Sequence, residues 1–222
     1  MGKWAFGYKG AMPVNTSITL LDGTKGIAGG AFYEYKNLAS ITIPDSVKTI
    51  GESAFFSCTS LTNVTIPGSV IDIGRVAFSD CSKLALLNIG NGVKTIGTGA
   101  FQKCTDITNV TIPGSVTIID EAAFNKCSKL SSVTIGNGVT VIGEWAFSEC
   151  TSLTSITIPA SVTSIERSAF LKCAKLAGVT FEGNIASDNF SPVNSFPGDL
   201  RAKYLAGGIG TYTNKGGKWT KA

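Results

Sequence analysis

The chain has 222 residues, 19 Lys and Arg against 15 Asp and Glu, a formal net charge of +4 and no histidine. Without histidine the commonest general base is missing, and with it the Ser-His-Asp and Cys-His arrangements and most zinc sites. The positive charges are spread along the chain, so neither nucleic acid nor an anionic membrane is implied as a partner, and no apolar run approaches the roughly 18 residues a membrane helix needs.

Residues 1–30 read as a degenerate repeat that serves as an N-terminal cap. Ile18-Thr19-Leu20 and Ile27 fit strand positions of the units that follow, and Trp4, Phe6 and Tyr8 are expected to shield them. Such a shield is needed because the end of a stacked array exposes core and unpaired strand edges. Trp4-Ala5-Phe6 echoes Trp145-Ala146-Phe147, as if the chain opened inside a worn unit, and the opening has no apolar segment of the secretory type.

Residues 31–184 repeat one pattern. Ala-Phe recurs at Ala31, Ala54, Ala77, Ala100, Ala123, Ala146 and Ala169, a step of 23 residues each time, which is the signature of a solenoid. Four residues after each Ala comes Tyr35 in the first copy, then Cys58, Cys81, Cys104, Cys127, Cys150 and Cys173. The spacing Leu61, Val64, Ile66 ends in period two, so that piece is a strand with Val and Ile pointing inward. The residue between them must then point outward: Thr42, Thr65, Asn88, Thr111, Thr134, Thr157 and Thr180. Pro44, Pro67, Pro113 and Pro159, or Gly90 and Gly136, end the strand. A short second strand follows, and the Ala-Phe-x-x-Cys piece has room for one helical or 3-10 turn. Seven such coils stacked about 4.8 Å apart make a parallel sheet along one face.

A longer period lies over the first. Ile-Gly-Asn-Gly-Val at 89–93 and 135–139 alternates with Ile-Pro-Gly-Ser-Val at 66–70 and 112–116, a repeat of 46 residues. Two alternating turn types are expected, with Gly and Asn at positive φ where Pro cannot follow.

Residues 185–222 leave the register, which puts Pro192 and Val193 where Ala and Phe belong. Pro197 to Leu205 reads as a short helix with Asp199 as N-cap and Gly207-Gly208 as a stop. Thr211-Tyr212-Thr213 and Lys218-Trp219-Thr220 flank Asn214-Lys215-Gly216-Gly217 as a β-hairpin, and this C-terminal cap is expected to cover the last coil.

The repeated unit, with its Leu, Val, Ile-Pro, Val, Ile-Gly, Ala-Phe and Cys columns, closely resembles the BspA-like, or treponemal-type, leucine-rich repeat from about Ile27 to Gly183. Asp120 and Glu166 depart from it by replacing the Gly that ends the second strand. The resemblance implies a β-dominated leucine-rich-repeat solenoid. It also implies a place at the cell surface or in the secreted fraction of bacteria or protists, and attachment to host proteins or other cells. The family brings no catalytic residues to carry over.

Three groups of side chains are candidates for chemistry. The six cysteines share one inward column, where in-register side chains point the same way, so they read as reduced, buried thiols and not as disulfides or metal ligands. Glu121 and Glu144 share a column on adjacent coils at about the spacing of a glycosidase pair, but Arg167 continues that column and points to ordinary surface pairing. The outward column offers Thr65, Asn88, Thr111, Thr134 and Thr157, bordered by Lys83 and Lys129, as a ligand-binding sheet face. The plain reading of that column is that Thr suits an exposed strand. With no cofactor or metal implied, the sequence reads as a non-enzymatic protein-binding module that attaches to a host surface or extracellular-matrix protein. The second reading is a self-associating spacer that assembles through its ends.

Overall fold

A computed structural model describes residues 3–222. The chain winds as a series of stacked coils whose main sheet is built from the outward-Thr strands: β1 (Thr16–Thr19), β2 (Leu38–Thr42), β3 (Asn63–Ile66), β4 (Leu86–Ile89), β5 (Asn109–Ile112), β6 (Ser132–Ile135), β7 (Ser155–Ile158) and β8 (Gly178–Phe181). Helix α1 (Leu200–Gly207) and the hairpin of β9 (Gly210–Lys215) and β10 (Lys218–Lys221) follow. A second, eight-stranded parallel sheet runs the length of the array from Lys3–Ala5 to Ser164–Ile165, mostly as two-residue strands such as Asp72–Ile73 and Val141–Ile142.

Between the second strand and the main sheet the chain makes consecutive turns, which still bond coil to coil. Ser53, Phe55 and Ser57 donate their N–H groups to Arg75, Ala77 and Ser79 of the next coil, and the same three bonds recur along the array. Two residues of each coil sit in the left-handed region there; in the later of the two columns Ser57, Asp80, Lys103, Lys126, Glu149 and Lys172 all have φ between 57° and 62°. Non-glycine residues hold this costly conformation because their N–H groups are fixed by the coil above.

Inside, the columns superpose as their spacing requires. The rings of Phe32, Phe55, Phe78, Phe101, Phe124, Phe147 and Phe170 stack at 4.8–5.5 Å. The Leu, Val and Ile columns are buried beside them, except for the half-buried Ile89. The spine does not stop where the 23-residue register fails. Phe196 stacks on Phe170 at 4.4 Å, three residues later than the register demands, because the 3-10 turn Ser187–Asn189 and the loop after it lengthen the coil.

The main sheet is divided into pairs of coils. Four-residue ladders join β3 to β4, β5 to β6 and β7 to β8, whereas a single residue pair, Ser40 with Asn63, joins β2 to β3, and no ladder joins β4 to β5 or β6 to β7. The residue after the strand accounts for these three breaks, but not for the β1–β2 ladder, which keeps four residue pairs although Pro44 follows β2. Gly90, Gly136 and Glu182 donate N–H to Ile66, Ile112 and Ile158, while Pro67, Pro113 and Pro159 have no N–H to give to the preceding coil. Across the Pro boundaries Ser69 and Ser115 instead donate their hydroxyls to Val47 and Val93 carbonyls at 2.7 Å.

The alternating corners differ from expectation. Gly90, Asn91, Gly92 and their equivalents Gly136, Asn137, Gly138 do not have positive φ. Glycine is required for room: a Cβ on Gly92 or Gly138 would overlap the carbonyl oxygen of Gly68 or Gly114 in the coil before.

At the C-terminal end, β9 adds antiparallel to β8 and α1 packs beside the hairpin. Phe181, Phe190, Phe196, Tyr204, Tyr212 and Trp219 are buried there. Asp199 stands at the N-cap position of α1 but does not cap it; its carboxylate accepts the N–H of Trp219 at 3.1 Å and ties helix to hairpin. At the other end the Trp4 ring lies over Gly26, and Trp4, Phe6 and Tyr8 are exposed on their outer side beside Ile18, Leu20 and Phe32.

Two substitution pairs test the coil doublet by equilibrium denaturation. Gly92→Ala is expected to cost roughly 2–3 kcal/mol through forced separation of two coils, whereas Gly68→Ala, with no atom nearer than 3.9 Å, stays within about 0.5 kcal/mol. Ser115→Ala is expected to cost about 1 kcal/mol, while Ser161→Ala costs nothing, since the Ser161 hydroxyl is buried without a partner among the described residues.

Candidate functional site

The sheet face carries two outward columns. Asn63, Leu86, Asn109, Ser132 and Ser155 form one, and Thr65, Asn88, Thr111, Thr134 and Thr157 form the other; all ten are exposed, while Val64, Leu87, Val110, Val133 and Ile156 between them are buried. Period two along each strand and parallel in-register pairing across strands together produce this sorting. Thr111 lies opposite Thr134, and Thr65 opposite Asn88.

The columns are not equally free. Asn88 Nδ2 donates to Thr65 Oγ1 at 3.4 Å, and Thr180 is tied to Thr211 of the hairpin at 3.0 Å. Thr111, Thr134 and Thr157 make no side-chain hydrogen bond among the described residues, so their hydroxyls are open to solvent. Leu86 is 63% exposed in the middle of this polar field. Where the β2–β3 ladder thins, Ile41, Thr42, Ile43, Asn63 and Thr65 line a shallow cleft of about 260 Å³.

No charged residue occupies either column; charges stand at its border and on the flank. Lys129 is held by Asp106 at 2.8 Å, whereas Lys83 is exposed and forms no ion pair among the described residues. Glu144 is paired with Arg167 at 2.9 Å, and the Arg167 guanidinium lies 5.3 Å from the Trp145 ring. The Glu121 N–H donates to Asp120. The two glutamates therefore belong to an exposed flank of ion pairs and turns, without the desolvating walls that tune a catalytic carboxylate.

The cysteines are buried, free thiols, and each has the same partner. Cys58 Sγ–H donates to the Phe32 carbonyl at 3.0 Å, and Cys81, Cys104, Cys127, Cys150 and Cys173 donate to Phe55, Phe78, Phe101, Phe124 and Phe147 at 3.1–3.2 Å. The column thus links each coil to the one before it. Burial raises the Cys81, Cys104 and Cys150 thiols well above their ordinary range and pushes Cys127 and Cys173 up to about 12. They are structural groups, not nucleophiles.

These features define a class: a parallel β-solenoid of leucine-rich repeats, whose chemistry lies in its outward columns. A sequence profile described as the BspA type leucine rich repeat region matches residues 8–129 and 94–193, with six copies, and the chain belongs to that family. Its members are generally repeat scaffolds for protein interaction and not catalysts, and no helix among the described residues is long and apolar enough to cross a membrane. Three solved structures are similar. A leucine rich cell surface protein from Faecalibacterium prausnitzii is 31% identical with a TM-score of 0.70, over 94% of this chain and 54% of its own. A leucine-rich repeat protein from Eubacterium ventriosum is 32% identical with a TM-score of 0.72, over 77% of this chain and 46% of its own. The leucine rich repeat protein of T. pallidum is 28% identical with a TM-score of 0.62, over 72% of this chain and 77% of its own. The chain spans about half the length of the first two. No curated protein matches it.

The thiol column makes a pH prediction. Raised folded-state pKa values mean that the folded chain keeps protons which the unfolded chain releases. Stability is therefore full below the ordinary thiol value of 9.0 and declines as pH rises from there toward about 12. Denaturant midpoints measured between pH 7 and 11 should be flat to about 9 and then fall, and a thiol reagent should label six groups in denaturant but none rapidly in the native chain.

Proposed function

We propose that the chain is a binding array that attaches to another protein through its main sheet face, with Thr65, Asn88, Thr111, Thr134 and Thr157 as the contact surface and Lys83 and Lys129 at its border. The observation that carries this reading is the pair of exposed, uncharged columns running across the coils with unengaged Thr hydroxyls at their centre. Repeat arrays bind extended partners through such regular surfaces, because each added coil repeats the same contacts. A partner that docks here desolvates amides, hydroxyls and one exposed Leu, but no charge, so it avoids the largest penalty of burial.

Family membership and the cell-surface description of the F. prausnitzii relative support a place at the bacterial surface or in the secreted fraction, with a host-surface or extracellular-matrix protein, or another cell, as the target. In this reading residues 31–184 are the binding array and residues 1–30 and 185–222 its terminal units.

Arginine at the two central hydroxyls tests the face. Thr111→Arg with Thr134→Arg is expected to weaken attachment to immobilised matrix protein or to host cells at least tenfold, while the thermal midpoint moves by a degree or two, since both residues are exposed. An unchanged attachment with an intact fold rejects the sheet face as the contact surface.

A further inference from the structure

Charges that stand far apart in the chain are gathered by the coils. The corner that joins the turns of each coil to the main sheet carries two columns of side chains. One holds Asp80, Lys103, Lys126, Glu149 and Lys172, and the other Lys83, Asp106, Lys129, Ser152 and Lys175. All six lysines are exposed. Set against three acids, they leave a net charge of +3 on this corner, in a chain whose whole net charge is +4.

The second column also follows the coil doublet. Cys-Ser-Lys-Leu at 81–84 and 127–130 and Cys-Ala-Lys-Leu at 173–176 lead into β4, β6 and β8, the later strand of each pair. The earlier strands β3, β5 and β7 follow Cys-Thr-Ser-Leu at 58–61, Cys-Thr-Asp-Ile at 104–107 and Cys-Thr-Ser-Leu at 150–153. Lys83, Lys129 and Lys175 therefore stand in one line, two coils apart, at a pitch of about 10 Å by the strand spacing. Lys129 is paired with Asp106, while Lys83 and Lys175 form no ion pair among the described residues. In the first column Lys103 and Lys172 are held by Asp80 and Glu149, and Lys126 forms no ion pair among the described residues.

We infer that this corner docks a linear polysaccharide that carries one carboxylate on every second sugar ring. It lies along the array, with successive carboxylates against Lys83, Lys129 and Lys175. Pitch selects this occupant. A sugar chain charged on alternate rings repeats its anion over a disaccharide, a length comparable with two coils. An extended acidic peptide presents same-face side chains about every 6.6 Å, and duplex nucleic acid carries one charge per ~1.7 Å of axis. Either would set anions against Asp106, which stands between Lys83 and Lys129, whereas a charge at every second coil passes over it. The two columns and the residues between them hold no aromatic side chain on which a base would stack. What lies between them is hydroxyl-bearing. Thr105 and Thr151 donate back to the Ser82 and Ser128 carbonyls, while the Ser82 and Ser128 hydroxyls form no hydrogen bond among the described residues and are available to the sugar rings. The contact shares Lys83 and Lys129 with the border of the proposed protein-binding face but does not use its Thr columns, and it stands independently of that reading.

Isothermal titration calorimetry with a hyaluronan octasaccharide, which has a carboxylate on alternate rings, tests this at about 50 mM salt, where screening is weak. The parent is expected to bind it and to lose it at about 0.5 M salt. Lys83→Gln with Lys129→Gln and Lys175→Gln should weaken binding at least tenfold, with circular dichroism and thermal midpoint unchanged, since all three are exposed. Lys25→Gln with Lys48→Gln and Lys94→Gln removes the same charge from exposed positions on the second sheet and should stay within about twofold of the parent. An oligoglutamate and an oligonucleotide with the same number of charges should bind at least tenfold more weakly than the sugar. A parent that does not bind, equal losses in the two triple variants, or equal affinity for the three polymers overturns the inference. The Thr111→Arg and Thr134→Arg pair should bind the sugar no more weakly than the parent, so failure of the sheet face and failure of this corner are read separately.

Discussion

The backbone bond from one coil to the next is the constraint on which everything else depends. It sets a spacing near 4.8 Å, and every column must then accept the same kind of side chain at that interval or leave a gap. Phenylalanine meets the demand because rings stack at this distance, as the 4.8–5.5 Å centroid separations of the spine show. Cysteine meets it differently. Its thiol is small enough to lie between Phe and Leu, and its weak donor reaches the Phe carbonyl of the preceding coil, which also accepts the backbone N–H of that coil's own Cys. Alanine would fit the space and lose the bond. Serine would keep a donor and carry a costlier hydroxyl into an apolar column.

A spacing fixed by hydrogen bonds is vulnerable wherever a donor is missing, and the doublet follows from that. Pro67, Pro113 and Pro159 each remove one donor at the end of a main-sheet strand, and the ladder on their N-terminal side thins or disappears. The second sheet and the turn ladder continue through the same boundaries without interruption, so the array stays whole while one of its three bonded faces loosens. Ser69 and Ser115 bridge the loosened corner, and within the doublet Gly92 and Gly138 let the corners close. From Ser69 to Ser161 serine and glycine alternate in this column, Ser69 and Ser115 bridging two coils and Gly92 and Gly138 leaving room for a carbonyl.

Most of the interior was legible in the sequence because a 23-residue period fixes inward and outward positions without reference to any partner. The outward Thr column, the buried thiols and the hairpin followed from period and residue type. What escaped the sequence has physical reasons. Apart from Asp80 and the glycines Gly30 and Gly99, the left-handed residues of these turns are Lys, Glu, Ser, Val, Ala and Trp, whose types do not advertise positive φ, and coil-to-coil bonds impose it. Conversely, the Gly-Asn-Gly corner suggests positive φ and does not have it, because its glycines answer a contact 24 residues earlier in the chain. Phe196 was hidden by a three-residue lengthening of the last coil. The sheet face was identifiable as exposed, but nothing in one strand's sequence tells that Thr65 and Asn88 bond each other while Thr111 and Thr134 stay free.

The distribution of charge ties the architecture to its use. Glu52 pairs with Arg75, Asp80 with Lys103, Asp106 with Lys129, Glu144 with Arg167 and Glu149 with Lys172, and in every case the acid stands on the earlier coil and the base on the later one. Exposed pairs of this kind each contribute little. The same columns also set Lys103 beside Lys126 and Glu121 beside Glu144 on adjacent coils, so the ion pairs decorate the stack and do not by themselves select its register. Concentrating ions on the flank keeps them off the sheet face. A partner docked there as proposed would dehydrate only amides, hydroxyls and one Leu, and a second polar backbone could replace the lost bonds to water.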